Sequence, residues 1–147
     1  IHEMNIIDTH GDQITKHIPK RKGTIDNIVK INTPYSIVAP KGMKFLFLPM
    51  PYADNFDFES TTGILDPAES CELNVQLNWN VEEGNVFLKA GTPLMQIIPL
   101  TKENVNMICE EVTEKDKKWI NKQHFFKTHS FSPIRNKIKN LYEEWYQ

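Results

Sequence analysis

The sequence predicts a mainly β domain, a distorted β-barrel or jelly roll, with a C-terminal helical extension. Three observations carry this. Between Pro34 and Pro99, short apolar runs alternate with turns rich in Pro and Gly, and no helical period interrupts them. Leu73, Val75 and Leu77 alternate with Asn74, Gln76 and Asn78, the two-residue period of a strand with one dry face. After Lys102 the composition shifts, and Ile134, Ile138, Leu141 and Trp145 fall on one helical face. The expected organisation is a polar arm over 1–24, a β domain over 25–112 and a helical extension over 113–147.

In the arm, Asn5-Ile6-Ile7 suggests a short strand, Asp8 to Asp12 a turn, and Lys16 to Gly23 a loop. Ile25, Ile28, Val29 and Ile31 lead into Thr33-Pro34, where proline restricts Thr33 to extended geometry and suggests a bend. Tyr35 to Ala39 reads as a strand, Pro40-Lys41-Gly42 as a turn, and Met43 to Leu48 as a strand apolar on both faces. Tyr52 to Thr62 reads as a loop or irregular strand, with Gly63 to Pro67 as a turn. The alternating strand from Leu73 comes next. Glu82 to Asn85 is an expected hairpin turn into Val86-Phe87-Leu88. Ala90-Gly91 turns again, before a buried strand from Leu94 to Leu100. Val105 to Val112 reads as one more strand. Thr113 to Asp116 resembles a capping box with Asp in place of Glu, starting a helix from Glu114 to about Phe126. Ser132-Pro133 is a cap followed by proline at the first position of a second helix.

With 147 residues the chain is long enough for one domain with a real core. Charged residues are 24% and the net charge is −2, so bulk electrostatics draws it to neither nucleic acid nor membrane. No apolar run reaches the roughly 20 residues of a membrane-spanning helix. Two cysteines, Cys71 and Cys109, make no disulfide framework, which favours a reducing compartment. The expected location is the cytoplasm of a host cell or a virion, neither secreted nor membrane-bound. The basic run Lys16 to Lys22 is read as a solvated segment in preference to a phosphate-binding arm.

Other chemistry-bearing residues are weaker signals. Asp54, Asp57 and Glu59 fit a mobile acidic loop better than a metal site. His124 and His129 flank Phe125-Phe126 without the further ligands zinc requires. His2, His10 and His17 are scattered, so no metal site is assigned. Cys109 beside Ile108 reads as a core residue. Trp119, Phe125, Phe126, Tyr142, Trp145 and Tyr146 fit either a subunit interface or the packing of two short helices.

The order of these signals resembles that of the trimeric dUTPases and the related dCTP deaminases, over roughly residues 31 to 100. Ile37-Val38-Ala39-Pro40-Lys41-Gly42 resembles the strand and turn before the dUTPase phosphate-binding motif, and Gly42 and Pro49 keep that family's spacing. Gly63-Ile64-Leu65-Asp66 resembles its Gly-x-Ile-Asp motif, and Asp66-Pro67 is closer to the deaminases. Gly91 to Ile98 resembles the segment that closes the domain. The whole chain is more loosely similar to small tailed-bacteriophage proteins, through Pro34-Tyr35, Gly91 to Pro99 and the aromatic, basic tail from Phe125 to Tyr146.

The departures decide what the resemblance implies. Where dUTPases have Pro-Arg-Ser-Gly, this chain has Pro49-Met50-Pro51-Tyr52, so the phosphate clamp is lost. The tyrosine under the sugar falls on Glu69. The deaminase glutamate falls on Gln76, which cannot shuttle a proton. Residues 101–147 contain no glycine, so the Gly-rich closing arm has no counterpart. Asp66 is the remaining catalytic candidate, either positioning a water or, by the preferred reading, stabilising its own turn. Met50, Gln76 and Gln96 fall at ligand-facing positions. The resemblance thus implies a non-catalytic homotrimeric assembly or interaction module of viral origin, with a protein partner and no cofactor. The alternative is a divergent nucleotide-binding protein or nucleotide hydrolase, using Asp66 and Mg²⁺.

Overall fold

A computed structural model describes residues 6–10, 15–17 and 19–128, with 122–128 as backbone. Over these the chain is mainly β. Its strands are β1 (Ile7–His10), β2 (Ile28–Ser36), β3 (Phe45–Leu48), β4 (Phe58–Ser60), β5 (Gly63–Leu65), β6 (Glu72–Trp79) and β7 (Gln96–Pro99), and the helix α1 (Glu114–Thr128) follows. A four-stranded sheet has the order β1-β2-β6-β4, a three-stranded sheet the order β5-β3-β7, and among the described residues neither closes on itself. The chain divides into two compact units. One holds the chain up to Pro34 with Phe47–Gly63 and Leu73–Ile98; the other holds Tyr35–Leu46, Ile64–Glu72 and the chain from Pro99 onward. No described helix is long and apolar enough to cross a membrane.

The alternating segment forms β6, and its register is the one its pattern demands. Val75 and Leu77 are buried while Asn74, Gln76 and Asn78 between them are only half-buried. Leu77, 0% exposed, forms the first unit's core with Phe58 and Val75; Val29, Ile31, Trp79, Leu94 and Met95 pack against it. The antiparallel β4–β6 register sets Phe58 opposite Trp79 and Ser60 opposite Leu77. The Phe58 and Trp79 rings stack with centroids 6.0 Å apart and planes 14° apart, a spacing at which aromatic pairs add to their buried area.

Several boundaries differ from the sequence reading. Asp8 to His10 is not a turn but most of β1, which pairs antiparallel with β2, Ile7 opposite Ile31 and His10 opposite Ile28. Thr33-Pro34 does not bend the chain; β2 runs through it to Ser36. The reason is positional. The ladder to the β1 side continues through Asn32 N–H to the Ile6 carbonyl at 2.8 Å, and the exposed Pro34, which has no N–H to give, lies beyond that bond. Gly63 to Leu65 forms β5 in place of the expected turn. The strand expected from Leu94 begins at Gln96 and is half-buried along its length.

Two expected strands do not form. Val86-Phe87-Leu88 is irregular, with Phe87 exposed and so contributing no buried side chain to anchor a ladder. Val105 to Val112 is also irregular and exposed throughout, since strand propensity without a neighbouring ladder makes no strand. Cys109 lies in this segment and is exposed, not a core residue.

In the second unit the turn from Pro40 to Met43 closes as expected. Met43 N–H donates to the Pro40 carbonyl at 3.1 Å, and Gly42 has the positive φ, +78°, that the third position of a type II turn requires. The capping box is present. Asp116 N–H donates to Thr113 Oγ1 at 3.2 Å, and Thr113 N–H donates to Asp116 Oδ2 at 3.0 Å. Glu114 and Asp116 in the first turn suit the helix dipole. Trp119, 1% exposed, packs with Ala68, Cys71 and Ile120. Its ring therefore fills this unit's own core and is not available as the interface residue the sequence suggested. The Phe125 and Phe126 side chains, Tyr142, Trp145, Tyr146 and the second helix lie outside the described residues.

Leu77→Ala is expected to cost about 2–5 kcal/mol through the cavity it leaves, and Gln76→Ala much less, as measured by urea denaturation. Equal costs would mean that β6 does not present this face to the core.

Candidate functional site

The polar site of the first unit is built around the end of β6. Asn80, the residue after the strand, ties three segments together. Its N–H donates to the Asp57 carbonyl at 2.7 Å and its Nδ2 to the Phe56 carbonyl at 3.1 Å. Its Oδ1 accepts from Thr24 Oγ1 at 2.8 Å, and beside it Ile25 N–H donates to the Trp79 carbonyl at 2.9 Å. The chain just before Thr24 is thereby fixed. Thr24 N–H closes a turn onto the Arg21 carbonyl at 3.1 Å, and Gly23 accepts the φ of +90° that the turn imposes. Arg21 then reaches β4, where its guanidinium donates to Glu59 Oε1 at 3.0 Å.

These residues border a cleft of about 200 Å³. Arg21, Glu59, Ser60 and Asn55 supply its polar lining, and Pro49, Met50, Ala53, Phe56, Phe58, Pro93 and Leu94 its apolar lining. Ser60 Oγ donates to the Leu48 carbonyl at 3.2 Å and is held in place. Ligand pockets usually run from roughly 300 Å³ upward. This cleft has room for one side chain or one small ring, and a whole nucleotide exceeds it. Tyr52, between Met50 and Asn55 in sequence, is fully exposed and has a φ of +59°, the only positive φ outside glycine among the described residues. A bulky residue there carries backbone strain of order 1 kcal/mol.

Asp66 lies in the second unit, and its carboxylate is already engaged. Oδ1 accepts from Ala68 N–H at 3.1 Å, while the Asp66 carbonyl accepts from Glu69 and Ser70 N–H, both at 2.9 Å. This is an N-cap followed by proline at the first position of a single turn. Oδ2 is 3.4 Å from Lys44 Nζ, and the Asp66 side chain is only 11% exposed. The arrangement can hold a turn and neutralise a lysine.

Of the other sequence candidates, Met50 lines the cleft, whereas Gln76 on β6 and Gln96 on β7 do not. Glu59 faces the cleft with Arg21; Asp54 and Asp57 do not line it, and among the described residues no three His, Cys, Asp or Glu side chains gather as metal ligands. His2 and His129 and the His124 side chain lie outside what the structure describes. Sequence reading missed Arg21, which lines the same cleft as Met50. The available signal was the basic run Lys16 to Lys22 ending in a Gly turn. Asn80 had no signal beyond following an alternating strand.

The same basic run holds a second ion pair. Lys20 Nζ bonds Asp26 Oδ1. This hydrogen bond first, and the lysine charge second, hold the Asp26 carboxyl below the usual carboxylate range. Its folded pKa being depressed, the pair's contribution is present at neutral pH and is lost as pH falls through the folded value. Titration followed by carboxyl NMR is expected to show Asp26 low in the wild type and back at its ordinary value in Lys20→Met. For Asp66, removing the acceptor is expected to matter more than removing the charge. Asp66→Ala should cost about 1–2 kcal/mol, as lost caps do, and Asp66→Asn less, by thermal denaturation; the reverse order would mean that the charge, not the cap, is what the fold needs.

Compared with protein-family models, curated proteins and solved structures, the chain matches none.

Proposed function

We propose that the chain is a non-catalytic interaction and assembly domain, a dUTPase-like barrel or jelly roll that forms a homotrimer. It acts in a bacteriophage particle or on a host protein, in the virion or the host cytoplasm. The observation that carries this reading is the engagement of Asp66. A carboxylate that caps its own turn through Oδ1 and faces Lys44 through Oδ2 has a structural role that accounts for its presence without catalysis. Met50 stands where the resemblance expects the phosphate-binding arginine, and a thioether provides no fixed positive charge for phosphoryl chemistry. The cleft beside Met50 suits a single protein side chain. Its rim of Arg21 with exposed Phe56, and Tyr52 close by in sequence, has the composition of a protein-binding hot spot.

A second reading is favoured by one observation. Arg21 reaches the cleft beside Met50 and restores, from a different part of the chain, a cation near the position where the clamp arginine is missing. On that reading the domain is a divergent nucleotide-binding protein, and Mg²⁺ enters only if it also hydrolyses. The size of the cleft counts against it.

One preparation tests both. Light scattering of the purified chain at micromolar concentration is expected to give three times the monomer mass. With dUTP or dCTP and Mg²⁺ the same sample is expected to show no turnover. A monomeric mass would count directly against the assembly reading. Turnover in the wild type that is lost in Asp66→Asn would replace it with the nucleotidase.

A further inference from the structure

The lip of the cleft in the first unit carries two charges that cancel. Arg21 donates to Glu59 Oε1 at 3.0 Å, and its side chain is mostly exposed while that of Glu59 is half-buried. A guanidinium has five donors and a carboxylate two acceptor oxygens, so each partner keeps capacity for a ligand. Asn55, on the same lining, accepts from Asp57 N–H through Oδ1 at 2.9 Å, which leaves its NH2 to donate. A group with a full charge of either sign is drawn to one member of the pair and repelled by the other. The adjoining loop carries Asp54 and Asp57, both exposed, and these weigh further against an anion. What the lip fits is an uncharged group that accepts and donates at once. A peptide unit is such a group, its C=O accepting from Arg21 and its N–H donating to Glu59.

The walls set the second requirement. Met50, Phe58 and Leu94 belong to the apolar lining, and about 200 Å³ holds one apolar side chain. In an extended chain each side chain stands between two peptide units, so a segment that inserts one residue brings a peptide unit to the lip. The third observation is Tyr52. Met50 and Ala53, on either side of its turn, both line the cleft. Pro51 followed by a φ of +59° at Tyr52 is the pattern of a type II turn, whose third position glycine ordinarily fills. The tyrosine is fully exposed, so its strain is offset by no burial within the chain. Phe56, which lines the cleft, is exposed as well. Exposed aromatic rings at a small pocket with an arginine suit contact with another protein.

We propose that this cleft takes an extended, uncharged segment of a partner protein. One leucine-sized apolar side chain enters it, the adjoining peptide unit bonds between Arg21 and Glu59, and Phe56 and Tyr52 cover the flanking residues. This rests on the interaction reading above and names what is recognised: a short apolar motif, neither an acidic peptide nor a phosphate. Specificity divides accordingly. The volume of the cleft selects the inserted side chain, and the paired lip excludes charge beside it. The exposed rings supply contact area around that anchor.

The test uses the isotope-labelled full-length chain, followed by backbone-amide and Arg21 side-chain NMR. The probes are short alanine peptides with blocked, neutral ends and leucine, alanine, glutamate or lysine at the centre, and dUMP beside them. The leucine peptide is expected to shift the Arg21, Phe56 and Ser60 signals saturably. The other probes are expected to bind at least about tenfold more weakly, as a pocket that loses its apolar side chain does. Arg21→Met is expected to weaken the leucine peptide about tenfold, through a lost hydrogen bond to a charged group, and to keep the wild-type denaturation midpoint, since the exposed ion pair contributes little. Tyr52→Gly is expected to weaken binding with a midpoint equal to or above the wild type; a lowered midpoint would overturn the recognition role of Tyr52. Equal binding of the leucine and alanine peptides, no shift from either, or an unchanged affinity in Arg21→Met would overturn the peptide proposal and leave the assembly reading, which rests on subunit mass, standing. Tighter binding of the glutamate or lysine peptide, or of dUMP, would overturn it in favour of a charged ligand. A monomeric mass with leucine-peptide binding intact would do the reverse, removing the assembly and keeping the peptide site.

Discussion

The inward face of β6 is the constraint on which the first unit depends. Val75 and Leu77 face the core, so β4 must bring Phe58 and β2 must bring Val29 and Ile31 to the same side. A slip of one residue would put Asn74, Gln76 and Asn78 into that space and leave three amides without water. The Phe58–Trp79 stack pins the same register at the end of the strand. Because the chain turns immediately afterwards, whatever fixes Trp79 also fixes Asn80.

Asn80 converts that register into a site. Its side chain and N–H bond the Phe56–Asp57 loop and Thr24, so one residue satisfies two backbone carbonyls of that loop and the Thr24 hydroxyl. The Arg21 turn hangs from this point, and Arg21 in turn reaches Glu59. The pair is largely exposed, so it contributes little to stability. What it does is hold a guanidinium at the lip of an otherwise apolar cleft. The position of the cleft's charge therefore depends on hydrophobic burial one strand away.

Much of the local structure was legible because it is written in neighbouring residues. The alternation of β6, the Pro40–Gly42 turn, and the capping box at Thr113 and Asp116 each depend on contacts spanning only a few positions. The Asp66-Pro67 turn was legible for the same reason. The errors fall where a partner distant in sequence decides. Asp8 to His10 looked like a turn and became a strand because Ile28 to Ile31 pairs with it. Val105 to Val112 looked like a strand and remained irregular. Cys109 reads as core on the strength of its neighbour Ile108, and tertiary packing leaves it exposed; for Trp119 residue type left interface and core packing open, and its packing on Ala68 and Cys71 decides for the core. The cleft was half legible. Met50 could be singled out by what it replaces, but the cleft it shares with Arg21 joins residues too far apart for any local pattern.

Asp66 in one unit and Arg21 in the other differ in how they are engaged. Asp66 accepts from a turn amide through Oδ1 and faces Lys44 through Oδ2, in a side chain largely withdrawn from solvent. Arg21 is in the opposite condition. It is mostly exposed and paired on one side with Glu59, and a guanidinium has five donors in a planar fork. It can take an incoming carboxylate or carbonyl while keeping its partner. A fixed, buried acid suits structure, and an exposed, partly engaged arginine beside apolar walls suits recognition. That asymmetry, more than the loss of any one motif residue, is the ground on which the binding role is proposed.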